Sequence, residues 1–198
     1  MVDTRIEVKG LEPVQRAINN MQRRIQQPQA LFRRLGILMI RTVDKNFESE
    51  GRPTKWKKRS HITQATLAVG AQGRAKRTKR YQSYKAGGRA SLLRRESLKA
   101  MSNKILSGQG DLKKSIDQKV HADGVEVGAS GGLPYARIHQ LGGVIRPKKA
   151  KALAVPCGAR ILRLQKVTIP ARPYLLIPPQ DVPVYTRATI DYIQEGRV

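Results

Sequence analysis

The segment 133–143, Leu-Pro-Tyr-Ala-Arg-Ile-His-Gln-Leu-Gly-Gly, constrains the fold of this chain more than any other stretch. Pro134 suits a helix start, and Gly142 with Gly143 suits a helix end, so the residues between them are committed to a short helix. Tyr135, Ile138 and Leu141 fall at helical spacing, which predicts one apolar face. A second rigid stretch, Ile-Pro-Ala-Arg-Pro-Tyr-Leu, follows at 169–175. Pro170 and Pro173 restrict φ on both sides of Ala171 and Arg172. The expectation is a stiff apolar corner that presents the Arg172 guanidinium while Tyr174 and Leu175 anchor in a core.

Charge is the second constraint. The chain holds 39 Lys and Arg against 14 Asp and Glu, a formal net charge of +25. Such an excess points to a polyanionic partner: nucleic acid, an acidic protein surface or anionic lipid. A generic solvated surface mixes signs, whereas between residues 51 and 99 only Glu96 opposes the cations. The densest part runs from 72 to 95, where Arg74, Lys76, Arg77, Lys79, Arg80, Lys85, Arg89, Arg94 and Arg95 are interleaved with Tyr81 and Tyr84. This composition reads as an extended arm that contacts phosphates without reading sequence, or as a solvated disordered loop when no partner is bound. A helical turn or two is expected to return over 92–101.

The remaining segments give a coarse outline in chain order. Residues 5–8 alternate as a short strand does. Pro13 opens a helix carrying Val14, Ala17, Ile18, Met21 and Ile25, and Pro28 ends it. A second helix carries Leu31, Leu35, Leu38, Met39, Thr42, Val43 and Phe47, and the two are expected to pack on each other. The basic loop 51–59 surrounds Trp56, read as the anchor of a segment with few other apolar residues. Residues 112–120 and 124–128 read as a hairpin joined at Asp123-Gly124. Residues 144–146 and 152–155 read as strands around the basic turn 147–151, and 160–169 as one further strand. Residues 182–194 read as a closing helix. The fold class that follows is α+β: N-terminal helices on a small antiparallel sheet, a basic extended insertion at 52–104, and a C-terminal helix, all in a single domain spanning 1–198.

Several chemistries lack their residues. Cys157 is the only cysteine and the three His are scattered, so neither an intramolecular disulfide nor a zinc spacing is available, and no metal or other cofactor is expected. His139 has no Asp, Glu, Ser or Cys in a catalytic arrangement around it, and the Gly108 and Gly110 turn lacks the Lys and Ser or Thr of a phosphate-binding loop. No enzyme is expected. No apolar run approaches the roughly 20 residues that cross a bilayer, and no secretory leader is apparent, so the reading is a protein made in cytoplasm with no membrane partner.

The order Phe47, Gly51, Pro53, Trp56, then Ile105, Leu106, Ser107, Gly108, Leu112, Ser115, Ile116 and the run 125–128, leads into Tyr135, Ala136, Arg137, Ile138, His139, Gln140, Leu141, Gly142 and Gly143. With Pro170, Ala171, Arg172, Pro173, Tyr174 and Leu175, this order resembles the phage virion morphogenesis family, in its Mu-like tail completion group. The resemblance implies a structural virion protein of the phage neck that joins tail to head. It implies assembly with itself as a ring, expected as a hexamer, beside the head-tail connector and the tail terminator or tube proteins, around a channel for genomic double-stranded DNA. Tyr135, Ile138, His139, Gln140, Gly142, Gly143, Ala171, Arg172, Pro173 and Tyr174 would then serve the fold or the subunit interface. The arm from Arg74 to Arg95 would touch DNA, without sequence preference, or a neighbouring protein.

Two rival classes remain at this stage. A non-specific nucleic-acid-binding protein of ribosomal type accounts for size and charge but leaves the Tyr135 and Arg172 blocks unexplained. A nuclease would need a carboxylate cluster for Mg²⁺, and the acidic residues are too few and too dispersed to suggest one; replacing Asp111, Asp117 and Asp123 by Ala would test that reading.

Overall fold

The structure, a computed structural model, describes residues 10–108, 110–157 and 160–197. The strand expected at 5–8 lies outside them. In chain order the first elements are helices α1 (Glu12–Gln26), α2 (Gln29–Glu48), α3 (His61–Lys76), α4 (Lys79–Ser83), α5 (Ala86–Ser102) and α6 (Asp111–Lys114). Strands β1 (Ile116–Val120) and β2 (Val125–Ala129) and helix α7 (Ala136–Leu141) follow. Strands β3 (Gly143–Ile145), β4 (Leu153–Cys157), β5 (Arg160–Leu164) and β6 (Val167–Ile169) precede a 3₁₀ turn at Pro179–Asp181 and helix α8 (Val182–Glu195). The arrangement is α+β, with N-terminal helices, small antiparallel sheets and a C-terminal helix. The chain divides into two compact units, one holding 10–42, 117–128 and 177–197, the other the described residues of 43–116 and 129–176.

In the first unit Pro13 sits in the first turn of α1, where a missing N–H costs nothing, and Arg23 and Arg24 sit in its last turn, where cations suit the helix dipole. Sequence spacing predicts α1 on α2, but α1 lies chiefly along α8. Its row of Val14, Ile18 and Ile25 remains exposed. What holds the two helices is largely polar. Arg24 Nη1 donates to the carbonyls of Ile193 at 2.8 Å and Gln194 at 2.7 Å, and Tyr192 Oη donates to Gln27 O at 2.9 Å. Leu31, Ala188 and Tyr192 are buried here, and Thr42 Oγ1 and Tyr185 Oη share a 2.5 Å hydrogen bond. The β1–β2 hairpin closes through His121 N donating to Gly124 O at 2.8 Å, as Asp123-Gly124 predicts. It reaches α2 at Gly36, where a Cβ would collide with the side chains of Gln118 and Val125.

The second unit has its own core of Val43, Phe47, Trp56, Ile105, Leu112, Ala136 and Tyr174. Phe47 stands edge-on to Trp56 with ring centroids 5.7 Å apart and tilts against Tyr174 at 5.5 Å. Trp56 is therefore a core anchor. Leu112, read as part of a strand, instead lies in the one-turn helix α6. Gly110 enters it at φ +87°, Ser115 Oγ donates back to Leu112 O at 2.8 Å, and Lys113 Nζ pairs with Asp44 at 3.2 Å.

Strand pairing differs from the sequence reading. Among the described residues three two-stranded ladders replace the single sheet. β3 does not turn back onto β4 across the basic turn. It pairs with β6, Gly143 opposite Ile169, and β4 pairs with β5, Leu153 opposite Leu164. The expected strand 160–169 thus breaks at Gln165 and Lys166 and serves two partners. No glycine or proline marks that break; it arises because the proline corner following β6 wraps α7, which carries β6 to the strand leaving α7.

The basic insertion also differs. Residues 72–95 are not an extended arm: α3 and α5 form a helical hairpin closed by α4. Small residues allow the close approach, with Ala71, Ala75, Ser97 and Ala100 buried beside Leu92, and Gln72 Nε2 donating to Ser97 Oγ at 2.9 Å. Ser60 and Thr78 cap α3 and α4 by accepting the N–H of Thr63 and Tyr81. Low hydrophobicity predicts disorder only where nothing can be buried; here alanine supplies a narrow seam.

Candidate functional site

The signature residues of 133–143 and 169–175 meet in the second unit and lock α7 to the proline corner. Gln140 Oε1 accepts the N–H of Tyr174 at 2.9 Å and of Leu175 at 3.0 Å. Tyr174 Oη donates to Ala136 O at 3.2 Å, and burial raises its pKa. Asn46 Nδ2 donates to Tyr174 O at 3.0 Å and Leu176 O at 2.8 Å, while its Oδ1 accepts from Arg52 Nε at 3.0 Å. Trp56 Nε1 donates to Pro173 O at 3.3 Å. The bonds from Gln140, Asn46 and Trp56 satisfy main-chain groups of 173–176 that the prolines keep out of a ladder.

Two sequence expectations change in this lock. Ala136 and Gln140, one turn apart, turn toward Tyr174, whereas Tyr135 and Leu141 of the predicted apolar face are exposed and Ile138 is half-buried. A six-residue helix is too short for its apolar count to decide its orientation; the bonds to the corner decide it. Arg172 is not presented to solvent. It is 8% exposed, its N–H donates to His139 O at 2.7 Å, and its guanidinium donates to Lys57 O at 3.3 and 3.2 Å, with a pKa lowered by burial and by Arg59. Gly142 has φ +72° and ψ 178°, a region essentially reserved to glycine, and a Cβ there would lie 2.7 Å from Ala171 N. Gly143 and Ala171 are exposed beside it, and Pro173 is half-buried.

Beside the lock lies a cleft of about 780 Å³ lined by the loop 57–60, α3, Ile105, Leu106, Gly108, residues 110–112, α7 and β6. Tyr135, His139 and Arg172 form part of its wall. Burial and then Arg172 lower the pKa of His139, and its Nδ1 has no hydrogen-bond partner among the described residues. Arg59 is engaged, donating to the carbonyls of Lys104 at 2.5 Å, Met101 at 3.4 Å and Asn103 at the end of α5.

The hairpin cations are all exposed: Arg74, Lys76, Arg77, Lys79, Arg80, Lys85, Arg89, Arg94 and Arg95. At its tip Arg89 stacks 5.4 Å over Tyr81 and donates to the carbonyls of Tyr81 and Gln82, and Arg80 lies 5.9 Å over Tyr84. Arg80 Nε donates to Tyr84 Oη at 3.2 Å and thereby lowers the tyrosine pKa. Arg95 meets Glu96 at 3.6 Å. Asp111, Asp117 and Asp123 form no cluster: among the described residues no group of three His, Cys, Asp or Glu is placed to hold a metal ion, and no helix is long and apolar enough to cross a membrane.

Asn46, fully buried, is the site residue that motif reading missed. A signal existed, because helical spacing from Thr42 and Val43 puts it on the apolar face of α2. Nothing in the sequence indicated that Lys57 and Lys58 would border a cleft with His139.

No curated protein and no solved structure matches the chain. The model of one family, described as the phage virion morphogenesis family, matches residues 10–194, covering both units and the whole signature lock. The chain therefore belongs to the phage virion morphogenesis family, and its role lies in the structure or assembly of the phage virion.

Proposed function

We propose that this protein completes the phage neck, assembling as a homo-oligomeric ring, a hexamer, between the head-tail connector and the tail tube or its terminator. In that reading the α3–α5 hairpin faces the channel and meets genomic DNA through phosphates alone. The observation that carries it is the placement of the nine exposed cations from Arg74 to Arg95, with Glu96 the sole acid in the sequence between 51 and 99, on a helical hairpin stiffened by an alanine seam. Cations held on a rigid element bind backbone phosphate with affinity that falls steeply with salt and ignores base sequence. Weak binding of this kind lets DNA pass, which suits a channel wall.

The test is light scattering of the purified protein at low and high salt, with and without a short duplex. A salt-resistant ring whose weak DNA binding disappears at high salt, and weakens further when Arg74, Arg77 and Arg80 are replaced by Gln, is the expected result. A monomer that binds duplex tightly with a steep salt slope would instead favour a non-specific nucleic-acid-binding protein.

A further inference from the structure

The cleft beside the lock has features that the neck assignment does not use. Four consecutive residues, Val167, Thr168, Ile169 and Pro170, line it. A strand that lines a cavity with its face contributes alternate residues, so consecutive ones mean that an edge points inward. β6 pairs only with β3, and the residues of β6 make no hydrogen bond to any other element among the described residues. Its outer edge is an unpaired main-chain template.

The chemistry around that edge is mixed in a specific way. Lys57 and Lys58 border the cleft with no ion-pair partner among the described residues, and Asp111 is the one acid in its lining. Leu67, Leu106 and Val167 give the lining an apolar part. A volume of about 780 Å³ accommodates a short extended segment. Duplex DNA meets proteins through phosphates on its outside and has nothing to lay against the leucines. A polypeptide with alternating side chains does both, since its acidic residues reach the lysines while the residues between them face the apolar wall.

We propose that this cleft is a docking site for an extended acidic segment of another virion protein, added as a strand to the outer edge of β6, with acidic side chains paired to Lys57 and Lys58 and apolar ones against Leu67 and Leu106. The site shares the start of α3 with the hairpin, through Thr63 and Leu67, but none of the hairpin cations from Arg74 to Arg95 lines it.

The probe is a fluorescein-labelled hexapeptide in which glutamate alternates with valine, titrated with the full chain and read by fluorescence anisotropy. Saturable binding is expected. Replacing both Lys57→Ser and Lys58→Ser, two exposed side chains outside the core, should weaken it at least tenfold while leaving duplex binding unchanged. A peptide of the same sequence with alternate backbone N-methyl groups leaves the protein untouched and removes the strand pairing; it too should bind at least tenfold more weakly. Equal binding of the methylated peptide would overturn strand addition. Absence of binding, or a double variant that loses duplex and peptide in parallel, would overturn the site itself and return these lysines to a nucleic-acid surface.

Discussion

Gln140 and Tyr174 hold each other from both ends. The glutamine side-chain oxygen accepts the tyrosine N–H at 2.9 Å, and the tyrosine hydroxyl donates to the main chain of α7 one turn before Gln140. The closed loop fixes the helix against the corner in a single orientation. Gln140→Ala removes the acceptor for two partly buried N–H groups, each costing about 1–3 kcal/mol when left unpaired. A loss of about 2 kcal/mol of stability in urea unfolding is the expected outcome, and an unchanged midpoint would show that solvent reaches those N–H groups.

Gly142 tests the same joint from the backbone. Its φ of +72° with ψ of 178° and the 2.7 Å approach of Ala171 N leave no room for a Cβ. Gly142→Ala should cost about 3 kcal/mol, combining backbone strain with displacement of the corner. Gly73, in the last turn of α3 with nothing near its Cβ position, is the matched control. There alanine should be neutral or stabilising, by up to about 1 kcal/mol. Thermal melts of the two variants give the comparison directly.

His139 makes stability depend on pH. Burial and the charge of Arg172 depress its pKa in the folded state, so the unfolded chain binds the proton more readily. Its contribution is then complete above the unfolded value of about 6.5 and is lost as pH falls through the folded value. Urea midpoints for the protein should decline below that pH more steeply than those of a His139→Asn variant. Parallel declines would assign the acid sensitivity to other groups.

Arg24 secures the end of α8 in the first unit through two carbonyls. Arg24→Met keeps the apolar stem but removes the charge and both bonds, with an expected cost of about 1 kcal/mol. Amide exchange should speed up in the last turn of α8 while the lock residues around Tyr174 stay protected. Uniform acceleration across the chain would mean that the contact is global rather than local.

Much of this molecule was legible before folding was considered. Pro13, Pro28, Pro134 and Gly142 act through their own φ, so the ends of α1, α2 and α7 followed from single residues, and the Asp123-Gly124 turn of the β1–β2 hairpin from a pair. The order of Trp56, Tyr135 and the Arg172 block carried the family in the same way. Pairing was another matter. β3 joins β6 rather than β4 because a corner thirty residues away wraps α7, and no local rule encodes which distant strand arrives. The buried face of α7 was set by Gln140 and the Ala136 carbonyl meeting Tyr174 and Leu175, which outweighed a three-residue apolar spacing. The basic arm became a hairpin through alanines that look too weak for a core until two helices bring them together. The sequence by itself determined where the chain must turn and that it carries a large excess of cations; only the tertiary structure decided which surfaces those turns bring together, because burial and strand pairing are properties of pairs of segments and not of either one alone.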